Sequence, residues 1–416
     1  MATTAVPILD SPDGVPLRIK LQRVERQRKL RAFALVLPLL LFILVAFVFP
    51  ISRMMLNAIH DDTLLELMPR TTAALSTWDG KDPPDERVYA ALAGDLKQAW
   101  AQKTAGKIGE RMNYELPGVA SQVMSSARKV SALSAGPYQA AIIEINPLWG
   151  RHDVWSLLKR GRSAFTAFYL LRSVDLQYGA DSQIVASPQE NAIFRGIFLR
   201  TIAISIGVTA ATLLLGFPLA YLLATLPPRT SNLLMIIVLL PFWTSVLVLT
   251  AAWVVLLQDH GVINDMLMAL HVLSQPAELI FNRLGTVVAM THIQLPFTLL
   301  PIYSVMKTIS PSHVRAARSL GAGPFYAFWK VYFPQTLPGI GSGCLLTFIL
   351  CLGYYITPAL VGGPTDRMVS NFVATYTNEQ LNWGMASALG AILLIATLLL
   401  YFVFSKLVGI DRIKMG

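Results

Sequence analysis

Residues able to make or break bonds are scarce in this chain, and those with suggestive spacing point to binding and movement instead. Trp243, Trp253, Tyr303, Tyr354 and Tyr355 lie in or beside long apolar stretches. Their ring faces attract an organic cation by roughly 0.5–2 kcal/mol each, which makes them candidates to line a path for one. Rings at the ends of apolar stretches also anchor a chain at a membrane boundary, and that second use stays open. Asp259 and Asp366 flank such stretches and either attract a cation or stand solvated in loops. His292 is the only ionisable group deep in an apolar stretch, where a hydrogen-bonded structural role is expected ahead of proton relay. His60 and His152 stand alone, so no metal site is expected. Cys344 and Cys351 fall about two helical turns apart, too far to bridge, and read as small buried side chains. There is no Gly-x-x-x-x-Gly-Lys-Ser/Thr to cradle nucleotide phosphates and no His-Glu-x-x-His or Ser-His-Asp arrangement. No catalytic residue or cofactor is expected in this chain.

The densest pattern of positional signals lies in residues 307–335. Ser310 is a candidate N-cap with Pro311 at the first helical position. Gly321 and Gly323, followed by Pro324, stop that helix. A second helix follows and is expected to break at Pro334. The short helix carries Arg315, Ala316, Ala317 and Leu320. It is too short to support itself by local packing and must press against this chain or a partner.

The rest of the sequence is what must position these groups. Of 416 residues, 54% are hydrophobic and only 14% charged, whereas soluble proteins carry about a quarter charged residues. A hydrocarbon core needs roughly 20 apolar residues per helix, and six segments qualify: about 33–51, 199–226, 233–257, 285–306, 336–358 and 386–408. Arg18, Lys20, Arg23, Arg26, Arg28, Lys29 and Arg31 precede the first, opposed nearby only by Glu25. The positive-inside rule therefore puts the N-terminus in the cytoplasm. Counting crossings places Arg229, then Lys307, Arg315, Arg318 and Lys330, then Lys406, Arg412 and Lys414 on the same side, so both termini are expected there. The first span is long for a cleavable signal and lacks a small-x-small site after Pro50, so an uncleaved anchor is expected. The net charge of +10 forms no continuous basic stripe, which argues against nucleic acid.

The expected fold is an all-α polytopic membrane protein of six transmembrane helices with a large outer insertion between the first and second. Residues 1–32 form a basic tail, disordered over 1–17, and 33–51 the first span. Residues 52–190 form the insertion and 191–416 the remaining spans with the 307–335 loop. Within the insertion, helices are expected near 85–101 and 119–133, punctuated by Pro83-Pro84 and Pro117-Gly118. Residues 138–149 read as strand-like or extended. The insertion is either a solvated spacer or a docking surface for a solute-binding protein.

Arg315-Ala316-Ala317, Gly321, Val331, Phe333 and Pro334 resemble the EAA loop of ABC importer permeases. The likeness continues through Leu337-Pro-Gly-Ile-Gly-Ser-Gly, Ile356-Thr-Pro-Ala-Leu-Val-Gly-Gly-Pro, Leu240-Pro-Phe-Trp-Thr-Ser to Gly261-Val-Ile-Asn, and Asn382-Trp383. From Leu199 onward the chain is similar to the spermidine/putrescine permease group. That resemblance implies a type I bacterial inner-membrane permease whose 310–324 helix sits in a cleft of a separate ATPase and moves as a lever. It implies an ATPase dimer that binds ATP and Mg, a second permease subunit with which a heterodimer is expected, and a periplasmic solute-binding protein. Arg315 departs from the pattern, which usually has Glu, and puts the usual polar contact in doubt. The cargo implied is putrescine, spermidine or a related small organic cation; ferric iron, thiamine or an amino-acid derivative stays open. A secondary transporter would show intramembrane charge and internal repeats, and a membrane-anchored scaffold would not need the loop.

Overall fold

The computed structural model describes residues 17–81 and 83–408. The expected disorder of the tail, Arg412 and Lys414 fall outside them, apart from Leu17, which begins a helix. By its contacts the chain divides after Leu56. The first unit is one continuous helix from Leu17 to Leu56, with a π turn at Leu44–Val48. Pro50, near the expected end of the first span, does not stop it. The Phe49 amide donates to the Leu44 carbonyl, an i−5 bond. The extra residue in that turn re-registers the ladder around the amide that Pro50 lacks.

The second unit opens with a helical region over residues 57–190 that has a hydrophobic core of its own. Asp85 caps the Glu86–Ala101 helix by accepting from the Val88 amide. Val88, Tyr89, Leu92, Leu96 and Ala99 recur at spacings of three and four, and all are buried. They meet the Ala120–Ser131 helix, the Tyr138–Ile145 helix and the buried Trp149 and Trp155. Polar atoms in this core are paired: Tyr89 OH donates to the Trp149 carbonyl at 2.7 Å, and Trp149 Nε1 to Ser126 Oγ at 2.9 Å. The strand-like reading of 138–149 is corrected. Residues Tyr138–Ile145 are α-helical and Pro147–Gly150 form a 3-10 turn. The Glu86 carboxylate accepts from the amides of Tyr138 and Gln139, capping the new helix from another element. The isoleucines at 142, 143 and 145 favour a strand, and this remote cap overrides them. A two-stranded antiparallel hairpin, Leu176–Tyr178 with Ile184–Ala186, departs from the all-α expectation.

Six helices are long and apolar enough to cross a membrane among the described residues. The second span is Phe194–Thr225, the fourth Arg283–Thr308, the fifth Pro324–Leu352 and the sixth Trp383–Val408. The third is not the single helix expected over 233–257. The expected range falls in two helices, Pro228–Trp243 and Val246–Leu257, separated by extended backbone at Thr244 and Ser245, and the stretch long and apolar enough to cross is Val246–Ala269. The first half packs where Leu299, Ile302 and Met306 of the fourth span are buried, the second where Ala289 is. The halves thus follow the fourth span in succession, in the opposite direction. Thr244 bonds back to Leu240 and Pro241, ending the first half, and buried Thr250 and Thr357 pair at 2.9 Å to seat the second.

The second, fourth and fifth spans meet through small residues. A side-chain carbon at Gly343 would stand 2.6 Å from the Thr298 carbonyl oxygen, so only glycine allows that approach. Beside it Thr298 Oγ1 donates to Thr212 Oγ1 at 2.9 Å and lies 2.6 Å from Thr347 Oγ1.

Candidate functional site: an exposed capped helix between the fourth and fifth spans

The Pro311–Ser319 helix is fixed at both ends by its own sequence. Ser310 Oγ accepts from the Ser312 amide, and Pro311 occupies the first turn, where no intrahelical donor is required. At the far end the Gly321 amide donates to the Arg318 carbonyl at 3.0 Å and the Ala322 amide to that of Ala317 at 3.1 Å. These are the paired bonds of a Schellman cap. Gly321 has φ +90°, a left-handed conformation that strains a side-chain-bearing residue. Nothing lies within 4 Å of where its Cβ would be, so dihedral angle and not space demands glycine.

The helix is held to the fifth span by one edge. His313 Nδ1 lies 2.9 Å from Gln335 Oε1, and Val314 and Ala317 are half-buried. None of its residues is fully buried. Leu320 is 89% exposed, Phe325 77% and Tyr326 60%. Ala317, Leu320, Gly321, Ala322, Gly323 and Tyr326 line an open hollow of about 600 Å³. Arg315 and Ala316 project from the exposed side.

Pro334 does not break the next helix, which corrects that expectation. The ladder runs from Pro324 to Leu352, with a π turn at Phe328–Tyr332. The Phe333 amide donates to the Phe328 carbonyl, the same i−5 adjustment that precedes Pro50. The part of the loop from Pro324 onward and the fifth span are therefore one rod. Aromatic rings that spacing alone did not single out fasten its end to the second span. Phe217 packs against Phe328 and Phe333, Tyr221 against Phe328 and Tyr332, with centroids 5.5–6.4 Å apart. The legible signal was Phe325, Phe328, Trp329, Tyr332 and Phe333 at three- and four-residue intervals.

The aromatic candidates for a path sit on several elements. Trp243 is 85% exposed at the break in the third span. Trp253 Nε1 donates to His292 Nδ1 at 3.1 Å, giving that histidine a hydrogen-bonded partner. Tyr303 lies at the loop end of the fourth span with the Lys307 ammonium 5.9 Å from its ring centroid. Tyr354 and Tyr355 follow the fifth span, their carbonyls accepting from Ser370 and Asn371. Asp366 is neither solvated nor free to draw a cation: it is buried, and Arg283 Nε donates to it at 3.0 Å. Asp259 is exposed.

A polar cleft of ≈ 480 Å³ lies between the 57–190 region and residues 381–384, lined among others by Asp61, Glu110, Arg111, Tyr114, Tyr169 and Trp383. At its base Arg111 pairs with Asp61 and, at 2.9 Å, with Glu115, while Tyr169 OH donates to Asp61 at 2.8 Å. Burial pushes the Asp61 carboxyl upward, but Arg111 and the hydroxyls of Tyr169 and Thr63 outweigh it, and the net shift is downward.

Residues 193–410 match the family profile described as "Binding-protein-dependent transport system inner membrane component". The chain belongs to that family. The permease is 31% identical over 216 residues to the spermidine/putrescine transport system permease protein PotB of Haemophilus influenzae, covering 52% of this chain and 76% of that one. It is 35% identical over 227 residues to the inner membrane ABC transporter permease protein YdcU of Escherichia coli, covering 51% and 71%. A solved bacterial alginate ABC transporter, in complex with alginate pentasaccharide-bound periplasmic protein, aligns at 20% identity and a TM-score of 0.39 over 50% of this chain and 77% of that chain. The permease is thus a multi-pass inner-membrane subunit of a binding-protein-dependent ABC importer, related to the polyamine group; it is a transport component and not an enzyme.

Proposed function

We propose that this permease forms part of the translocation path for putrescine, spermidine or a related small organic cation, and that its Pro311–Ser319 helix receives the motion of a separate ATPase dimer. In this reading the loop and both termini face the cytoplasm, as the basic residues beside the spans favour. The 57–190 region stands on the periplasmic side, where a solute-binding protein docks. A second permease subunit completes the path as a heterodimer, and ATP with Mg binds to the ATPases. The coupling residues are Arg315, Ala316, Ala317, Leu320, Gly321 and Pro334.

One observation carries the reading: a helix capped rigidly at both ends, with Leu320 89% exposed, is continuous through the Gly321 turn with a rod that enters the bundle. A push on such a helix moves the fifth span instead of dissipating in a slack loop. The aromatic contacts with Phe217 and Tyr221 carry it to the second span. The polyamine assignment draws on the PotB relatives, whose names state that cargo.

Reconstituted with ATPase, partner permease and binding protein, the wild-type complex should take up labelled putrescine or spermidine only with ATP. Gly321→Asp should reduce uptake by at least about tenfold, since left-handed backbone costs a non-glycine residue roughly 1–2 kcal/mol and the cap is lost. Its membrane insertion should persist. Normal uptake by that variant removes the lever; uptake driven by an ion gradient alone removes the importer class. Preference for ferric iron or thiamine in the same vesicles would reassign the cargo.

A further inference from the structure

Building on the proposed docking of the Pro311–Ser319 helix, we propose that the ATPase surface receiving it presents a carboxylate to Arg315. The helix exposes Ser312, Arg315, Ala316 and Ser319, which helical spacing places on one side. Arg315 is thus a long cationic side chain framed by small ones, which let a facing surface approach closely. Its neighbours do not compensate its charge. Ser319 Oγ donates to the Arg315 carbonyl, and the Ser310 and Ser312 hydroxyls bond to each other at 2.7 Å. Neither Arg315 nor Arg318 enters an ion pair among the described residues.

The surrounding sequence offers no internal counter-charge either. The loop holds Lys307, Arg315, Arg318 and Lys330, and no Asp or Glu occurs between Glu278 and Asp366. Asp366 is already buried against Arg283. A guanidinium covered by a partner without an acceptor for its donors is strongly unfavourable, because its hydration is lost and nothing replaces it. A partner that covers this face closely must therefore supply the anion. A carboxylate fits best, since the planar fork of arginine bonds both its oxygens at once. Leu320, fully projecting beside the hollow, adds an apolar contact at the edge of the same footprint.

The test uses the full complex of permease, partner permease, ATPase and binding protein. Arg315→Glu should lower ATP-driven uptake at least about tenfold, as expected when a close interfacial charge pair becomes a repulsion. Arg315→Lys keeps the charge and supplies an amine for zero-length carbodiimide coupling, in which a carboxylate within contact distance forms an amide with Lys and the reagent leaves as its urea. Peptide mapping should find residue 315 joined to an acidic residue of the ATPase. If the ATPase co-purifies and drives uptake, yet residue 315 couples to nothing and Arg315→Glu transports normally, the carboxylate is absent and the inference fails alone. If no ATPase associates with the wild-type permease, the docking itself fails. A third outcome also overturns the inference: an Arg315→Glu defect seen in vesicles rich in phosphatidylglycerol but absent in zwitterionic lipid assigns Arg315 to anionic headgroups.

Discussion

The 57–190 region and the membrane bundle solve the same packing problem by opposite means. In the first, large side chains fill the core: Trp149, Trp155, Tyr89 and several leucines are all but fully buried. Charged groups sink into it only in company, as Arg111 does between Asp61 and Glu115. In the bundle the contact between the fourth and fifth spans depends on Gly339 and Gly343, and on hydroxyls that bond to one another. Water drives apolar side chains together. Lipid does not, so helices there gain by close backbone approach and polar contact. The consequence is a difference in what each region can lose. A core held by burial and paired charge fails sharply when one partner goes, whereas a glycine-lined interface yields gradually to removal of a hydroxyl.

The sharpest way to break that contrast is Arg111→Ala. It strands the buried Asp61 without a cationic partner, while Glu115 keeps Arg160 at 2.7 Å, and should cost about 3–5 kcal/mol of local stability. Hydrogen exchange on the detergent-solubilised chain should show faster amides in Ala105–Glu115 and Ala120–Ser131, with those of Arg283–Thr308 unchanged. Equal acceleration in both would mean that the two regions unfold together.

Acid should act in the same direction with a smaller effect. The Asp61 carboxyl is held below its ordinary value, so its stabilisation is complete above the unfolded value and is lost as pH falls through the lowered folded one. Asp95 has the opposite sign: burial raises its carboxyl despite bonds from Thr71 and Arg70, so its ionisation opposes folding as pH rises. Asp61→Asn should flatten the acid loss measured by exchange in the 57–190 region, and Asp95→Asn should steepen it. A slope indifferent to both would remove these carboxylates from the account.

The smallest effect is expected in the bundle. Thr298→Val deletes the central hydroxyl of the Thr212–Thr298–Thr347 set, and such a contact contributes about 0.6 kcal/mol within a membrane. A drop in bundle stability matching that of Arg111→Ala would show that hydroxyl contacts hold the spans as strongly as buried charge holds the other region.

Much of this architecture was legible in the residues because it is set by local chemistry. Ser310-Pro311 and Gly321 fix a helix start and a left-handed stop wherever that segment sits, and runs of uncharged apolar residues are long enough to span lipid. Four further features needed the folded chain. The Tyr138–Ile145 helix takes its cap from Glu86 across 52 residues of sequence, which no local window contains. Thr244-Ser245 becomes a break because each half of the third span has its own seat along the fourth. Pro334 reads as a helix break in sequence, yet a π turn before it, like the one before Pro50, lets the ladder continue. Asp366, read as a loop acid, is withdrawn from solvent by an arginine 83 positions away.

The membrane class, the capped helix and the glycine that ends it follow from the residues alone, because hydropathy, capping and φ preference act over one or two turns. Packing alone set the continuity of the helix from Pro324 into the fifth span, the break at Thr244-Ser245, and the burial of Asp366 against Arg283. Those outcomes depend on which distant surface each segment meets, and that information exists only once the chain has packed.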